Sequence, residues 1–295
     1  MVFVTGDIHG VSGAGRLSDL SLRSVMSFPC AKEQHYLIVC GDFGLVWYNE
    51  GTPERLQEEN TLNWLAKQKH ITLFVDGNHE NFERLYRYPV VDFMGGKAHK
   101  LNEKVYHLMR GQIYEIQGNR LFVLGGAVSV DKHLRTEHVS WWRDEVPSPS
   151  EYAQALSSLS KVNNEVDYVL THCTSTENAK RLDKYFYADE VTEALSKIMI
   201  NVKYKRWYSG HYHLDKDCGR YTCLYRKIVP LGNTVSGRQE KMEKRKPIQV
   251  GDTVRLIEKD KGRWFEGKLT KFVGKKVHVQ LPTGYYVEMD KKLWC

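Results

Sequence analysis

Ile71-Thr72-Leu73-Phe74-Val75-Asp76-Gly77-Asn78-His79-Glu80 reads as a buried apolar strand that breaks at a glycine into an Asn-His pair. Both side chains want hydrogen-bonding or metal partners, which is unusual chemistry for a strand end. The polar stretch from Asn81 is compatible with a helix, and Glu80 reads as a helix-start residue favoured by the dipole. Alone, the tetrapeptide 77–80 is ordinary turn chemistry.

Four other fragments end apolar runs in the same way. Val2-Phe3-Val4-Thr5 breaks at Gly6-Asp7-Ile8-His9-Gly10, and Tyr36-Leu37-Ile38-Val39-Cys40 breaks at Gly41-Asp42. Tyr168-Val169-Leu170-Thr171 ends at His172, and Arg206-Trp207-Tyr208-Ser209 ends at Gly210-His211-Tyr212-His213. Helical patterns lie between them, over residues 53–68, after the Ser148-Pro149-Ser150-Glu151 capping box, and over 189–199. Alternating strands and helices predict an α/β layered fold with its chemistry at the strand ends. Residues 105–108, 113–116 and 121–124 read as a meander, so the sheet is expected to be mixed, and residues 220–231 as a closing hairpin.

The strand ends carry Asp7, His9, Asp42, Asn78, His172, His211 and His213, all of metal-ligand type, with His79 beside them. In an extended segment residues i and i+2 point the same way, so Asp7/His9 and His211/His213 can each face one ion. Seven ligands are too many for one tetrahedral ion and suit two ions sharing a carboxylate. The mix of imidazole and carboxylate favours Mn, Fe, Zn or a similar ion over Ca or a water-rich Mg site. Manganese is placed first, with Fe, Zn or Ni as alternatives.

Taken as a set, these five fragments resemble the calcineurin-like metallophosphoesterase superfamily, over residues 1 to about 235. The resemblance implies a β-sandwich of mixed sheets flanked by helices, with a dinuclear metal centre at the strand ends. It implies that Asp7, His9 and His213 hold one ion, that Asn78, His172 and His211 hold the other, and that Asp42 bridges them. His79 would contact the phosphate or protonate the leaving oxygen, and a metal-bridging hydroxide would attack phosphorus in line.

The serine/threonine phosphatase branch has an Asp-Arg-Gly continuation after its Gly-Asp, whereas Phe43-Gly44-Leu45-Val46-Trp47 follows Asp42 here. The expected activity is therefore a phosphodiesterase on a nucleotide or nucleic-acid substrate, with a phosphomonoesterase on proteins or small molecules as the alternative. A non-catalytic interaction scaffold would require lost ligands, and none is lost. Arg110, His133, Arg135 and Trp141-Trp142 lie on loops after residue 105 and are candidates to shape the pocket. The arginines otherwise read as solvated and the tryptophans as core.

The 295 residues carry a net charge of +7, unevenly spread. From residue 238 onward there are 15 Lys and Arg against 8 Asp and Glu, which leaves 28 of each before it. This divides the chain into a metallophosphoesterase domain at 1–237, a charged linker at 238–247, and a basic all-β unit at 248–295. Alternating Val254/Leu256, Phe265/Leu269 and Val277/Val279/Leu281 with interposed glycine turns make that unit an SH3-like barrel in expectation. Its partner is expected to be a nucleic acid or a protein, the two being equally weighted.

Six scattered cysteines lack zinc-ribbon spacing, and no basic-then-apolar leader precedes the first strand. The chain thus reads as a cytoplasmic protein with no membrane partner. Oligomeric state, natural substrate and native metal are left open.

Overall fold

A computed structural model describes residues 1–25 and 34–235, together with four strands between residues 253 and 290. The chain divides into two compact units, Met1–Gly237 and Arg238–Cys295.

In the first unit β1 (Val2–Thr5), a short α1 (Asp19–Val25), β2 (Tyr36–Cys40), α2 (Pro53–Leu65) and β3 (Ile71–Val75) follow in order. A single-turn α3 (Phe82–Leu85) leads to β4 (Val90–Phe93), β5 (Gly96–Lys100), β6 (Val105–Leu108), β7 (Gln112–Ile116) and β8 (Asn119–Leu124). Then come α4 (Pro149–Lys161), β9 (Tyr168–Thr171), α5 (Thr176–Leu182), α6 (Glu190–Met199) and β10 (Arg206–Ser209). The unit closes with β11 (Lys216–Cys218), β12 (Tyr221–Cys223) and β13 (Val229–Pro230).

Two mixed sheets form, with orders β13-β1-β2-β3-β6-β5-β4 and β11-β12-β10-β9-β8-β7. The period of two decides which side chains face which layer. Val2, Val4, Ile38, Cys40, Leu73 and Val75 pack inward against Tyr114, Leu121, Val123, Leu170 and Tyr208 of the other sheet. Phe3, Leu37, Val39 and Phe74 point outward and pack with Leu17, Leu22, Leu62 and Leu65. On the second sheet Phe122, Val169 and Trp207 pack with Leu159, Leu195 and Ile198. Helices thus cover both outer faces of a β-sandwich. Strands buried on both faces need continuous apolar sequence, and β1, β2 and β3 have it.

Helix caps follow the chain chemistry. Ser148 accepts from the Glu151 N–H while the Glu151 side chain returns to the Ser148 backbone, and Pro149 occupies the first turn. Asp189 caps α6 in the same reciprocal way through Thr192.

Two expectations need correction. The run 105–124 is not one meander: β6 joins the first sheet parallel to β3, whereas β7 and β8 pair in the second. The late hairpin is β11 with β12, and β13 crosses to the first sheet and pairs with β1.

In the second unit β14 (Thr253–Glu258), β15 (Arg263–Val273), β16 (Lys276–Gln280) and β17 (Tyr286–Asp290) form one antiparallel sheet in that order. The linker at 238–247 and any closure into a barrel lie outside the described residues. Among those residues no helix is long and apolar enough to cross a membrane.

Candidate metal centre

Strand register brings the motifs to one level. Thr5 pairs with Val39 and Cys40 with Val75, so the segments after β1, β2 and β3 leave the first sheet side by side. Tyr208 pairs with Leu170, which aligns the exits of β9 and β10 in the second. All five exits are carboxyl ends of parallel strands. Backbone bonds tie the segments together, with Ile8 and His9 donating to the Asp42 carbonyl and Gly210 donating to that of His172.

The resulting cluster is tight. One ligand atom from each of Asp7, His9, Asp42 and His213 lies within 4.8 Å of the others. The Nε2 atoms of His9 and His213 are 2.9 Å apart, and His9 Nδ1 is 3.9 Å from Asp42 Oδ2. Beside them, His172 Nε2 lies 3.1 Å from Asn78 Oδ1 and 3.2 Å from Asp42 Oδ1. The His211 ring sits 4.9 Å from that of His172. Asp42 therefore stands between two groups of donors.

Several features hold this arrangement open for cations. Asp7 Oδ2 is buried and has no hydrogen-bond partner, although Asp7 Oδ1 accepts the His211 N–H at 2.8 Å. His172 Nδ1 donates to the Cys40 carbonyl at 2.9 Å, and its Nε2 faces two acceptors, Asn78 Oδ1 and Asp42 Oδ1, so that a proton sits there where a cation would take its place. Asn78 is itself oriented from behind. Its Nδ2 donates to Ser129 Oγ at 3.1 Å, and Ser129 donates to the Glu145 carboxylate through both Oγ and backbone N–H.

Electrostatics point the same way. Burial pushes Asp7 up to about 7, against the neighbouring His172. Burial also works against ionised Asp42, but His172, His79 and His9 outweigh it and hold its carboxyl well below the usual range. Burial lowers His9 to about 4 and His211 to about 3, and it lowers His213 as well. These imidazoles are neutral at pH 7, as ligation requires. His172 is driven up to about 9, because Asp42 and Asp7 overcome its burial. Carboxylates that demand a proton on a buried imidazole define a place where a cation fits.

Backbone strain marks the same residues. His9, Asp42, His211 and His213 have φ of 54, 47, 68 and 52°, in the left-handed region that costs a non-glycine residue about 1–3 kcal/mol. Gly77 needs its missing side chain, since a Cβ there would strike Asp42 Oδ1 and the His172 ring.

The sequence signature of calcineurin-like phosphoesterases matches residues 1–215, most of the chain. The chain belongs to the calcineurin-like phosphoesterase family. A lariat debranching enzyme from Schizosaccharomyces pombe (strain 972 / ATCC 24843) is 21% identical over 216 residues, covering 64% of this chain. The match spans 45% of that protein's length. Among solved structures, "Termus thermophilus Sulfate thiohydrolase SoxB in complex with glycerol" aligns over 94% of this chain and 42% of that one. Its identity is 15% and its TM-score 0.35, a likeness that carries no argument.

Within this calcineurin-like centre, His79 donates its backbone N–H to Asp42 Oδ1 at 2.9 Å. Its ring packs on Trp47 and lies 5.1 Å from His9. Arg135 is not a solvated loop residue: its Nη2 lies 3.2 Å from His79 Nε2, and its Nε pairs with Asp131 at 2.9 Å. Arg110 is also no solvated residue. It is buried, with Nε donating to Asp76 Oδ2 at 2.8 Å beneath the Gly77-Asn78-His79 turn. His133 is exposed, and Trp142 packs in the core against Trp47.

Glu80 is more than a helix-start residue. Fully buried, it accepts the backbone N–H of Phe43 at 2.8 Å and of Gly44 at 3.3 Å. Asn81 is the residue that caps α3. Ser129, Glu145, Asp76 and Trp47 were not singled out from sequence. Their partners are tens of residues away, and a lone acid, serine or tryptophan carries no local signal.

Proposed function

We propose that the chain is a dinuclear metal-dependent phosphodiesterase acting on a nucleotide or nucleic-acid substrate. The observation that carries this reading is the convergence of Asp7, His9, Asp42 and His213 beside Asn78, His172 and His211 at the strand ends. Asp7, His9, Asp42 and His213 would hold one ion and Asp42, Asn78, His172 and His211 the other. Such a pair supplies positive charge against phosphoryl oxygens and lowers the pKa of a water.

The chain's own residues supply the rest. His79 is the donor to the leaving oxygen, kept in place by its N–H bond to Asp42 and by the Trp47 ring. Arg135 sits against His79 with the fixed charge that a phosphoryl oxygen needs. The likeness to a lariat debranching enzyme supports diester chemistry, as does the absence of an arginine in Phe43-Gly44-Leu45-Val46-Trp47 after Asp42. The basic segment after residue 238 is assigned to contact with a nucleic acid or a protein.

One observation favours a second reading, a phosphomonoesterase. Arg135 restores by a different route the guanidinium missing after Asp42, and a monoester's extra charge is what such a group grips.

The test is turnover of bis(4-nitrophenyl) phosphate and 4-nitrophenyl phosphate by Mn²⁺-loaded protein, with Asp42→Ala and His79→Ala as controls. Diester preference, lost in both variants, is expected. No turnover of either ester would overturn the enzymatic reading, and monoester preference would select the alternative.

A further inference from the structure

A cavity of about 430 Å³ opens beside His9 and His79 and runs away from the metal cluster toward α2. Its walls are Val11, Ser12, Trp47, Tyr48, Glu54 and Gln57, with Glu58 behind them. The volume falls within the range of pockets that take a whole small molecule.

Its aromatic wall is held rigidly. The Glu58 carboxylate accepts the backbone N–H of Trp47 at 2.7 Å and of Tyr48 at 3.2 Å, and it pairs with Arg84 at 2.7 Å. Asn81 Nδ2 donates to the Trp47 carbonyl at 3.0 Å. The Trp47 ring is braced edge-on by buried Trp142 and tilted at 30° to the His79 ring. Tyr48 stays 41% exposed, so a face remains for a ligand.

The charge of the lining selects what can enter. Among the described residues, no Lys or Arg lines the cavity. The Glu58 carboxylate is consumed by its three partners. Glu54 and Gln57, exposed on the first turns of α2, remain as hydrogen-bond acceptors, with Ser12 opposite. A second phosphate or other polyanion would meet uncompensated negative charge here. A flat, neutral ring bearing N–H donors finds a stacking face and acceptors at once.

We infer that this cavity is a nucleobase subsite, which seats the base of the nucleotide whose phosphoryl group lies at the His9–His79 end. Guanine suits it best, because its adjacent ring N–H and amino group can both donate to one carboxylate such as that of Glu54. The inference rests on the phosphodiesterase reading above and narrows its substrate to one with a donor-bearing base beside the scissile phosphate.

Isothermal titration of the full chain with guanosine, uridine and ribose tests this without turnover. Guanosine is expected to bind at least tenfold more tightly than ribose, and more tightly than uridine. Trp47→Ala is expected to weaken guanosine about tenfold or more. Gln57→Ala, an exposed change on α2 that leaves the core alone, is expected to weaken it severalfold, and Glu54→Gln to narrow the gap to uridine. Guanosine binding no better than ribose, or unaltered in both Trp47→Ala and Gln57→Ala, overturns the subsite. Turnover of bis(4-nitrophenyl) phosphate with no guanosine binding rejects the subsite alone, whereas absence of turnover rejects the underlying activity.

Discussion

The carboxylate of Glu80 accepts the backbone N–H of Phe43 at 2.8 Å, and through that bond the turn after β3 holds the turn after β2. Asp42 precedes Phe43 and has a left-handed backbone, so its carboxylate points correctly only while that turn is kept in place. Glu80→Ala leaves buried donors without a partner, at about 1–3 kcal/mol each. Glu80→Gln keeps one acceptor oxygen and should lose less. Chemical denaturation should rank wild type above Gln and Gln above Ala, and Mn²⁺ titration should show affinity falling in the same order. Equal metal affinity in all three would mean that Glu80 supports the fold without positioning Asp42.

A second buried carboxylate sits directly under the turn. Burial alone would raise the Asp76 pKa, but Arg110 and then His107 outweigh it and hold it below its ordinary value. A depressed folded-state pKa contributes stability above the unfolded value, near 4, and loses it as pH falls through the folded value. Wild type should therefore lose stability from about pH 4 downward. Arg110→Ala removes the partner of a fully buried charge and should cost about 3–5 kcal/mol at pH 7. Urea denaturation between pH 3 and 7 checks both, and the variant's stability should fall less steeply with acid than that of wild type.

These two acids also mark where sequence reading stops. Strands β1, β2 and β3 were legible because burial on both faces leaves an unbroken apolar run with a glycine at its end. Val90–Phe93 and Gly96–Lys100 were not, since the exposed edge strand carries Asp92 and its inner neighbour carries Lys97, His99 and Lys100, which break any apolar run. The strands at 105–124 looked continuous because glycine turns separate them, and nothing local reports that the chain changes sheet between β6 and β7. The Asp and His residues that cluster at the strand ends were visible because they recur there at fixed spacing, directly after apolar runs. Arg110, Arg135 and Glu80 were misread because a charge in sequence looks the same whether its partner is water or a buried group 30 to 60 positions away.

Arg135 offers a direct test of the role proposed for His79. Its guanidinium lies against His79 Nε2, so the two should act on the same oxygens. Removing one preorganised charged donor typically costs about 10²–10³ in kcat. Arg135→Ala should fall in this range, and Arg135→Lys should recover part of the loss, because an ammonium keeps the charge but not the planar fork. In a double-mutant cycle, Arg135→Ala with His79→Ala should lose less than the product of the single effects. Fully multiplicative losses would show that the two residues act independently.

The cluster itself predicts a stability that depends on metal. Asp7 and Asp42 are both buried, Asp7 Oδ2 has no partner, and His9 and His213 face each other through their Nε2 atoms. A cation bound among them relieves the carboxylate pair and satisfies the orphaned oxygen, and the unfolded chain offers no such site. Ligand at about 100 times its Kd should then add ~2.7 kcal/mol to folding. Thermal unfolding in EDTA against saturating Mn²⁺ should show a rise of several degrees, with esterase activity lost in EDTA and restored on adding metal back. Asp42→Asn removes the carboxylate that stands between both donor groups while nearly keeping its shape. It should abolish most of the Mn²⁺-dependent shift, and its Tm in EDTA should lie below that of wild type, because His172, His79 and His9 favour the ionised Asp42 carboxylate in the fold. A full Mn²⁺ shift in Asp42→Asn would place the bound metal elsewhere in the chain.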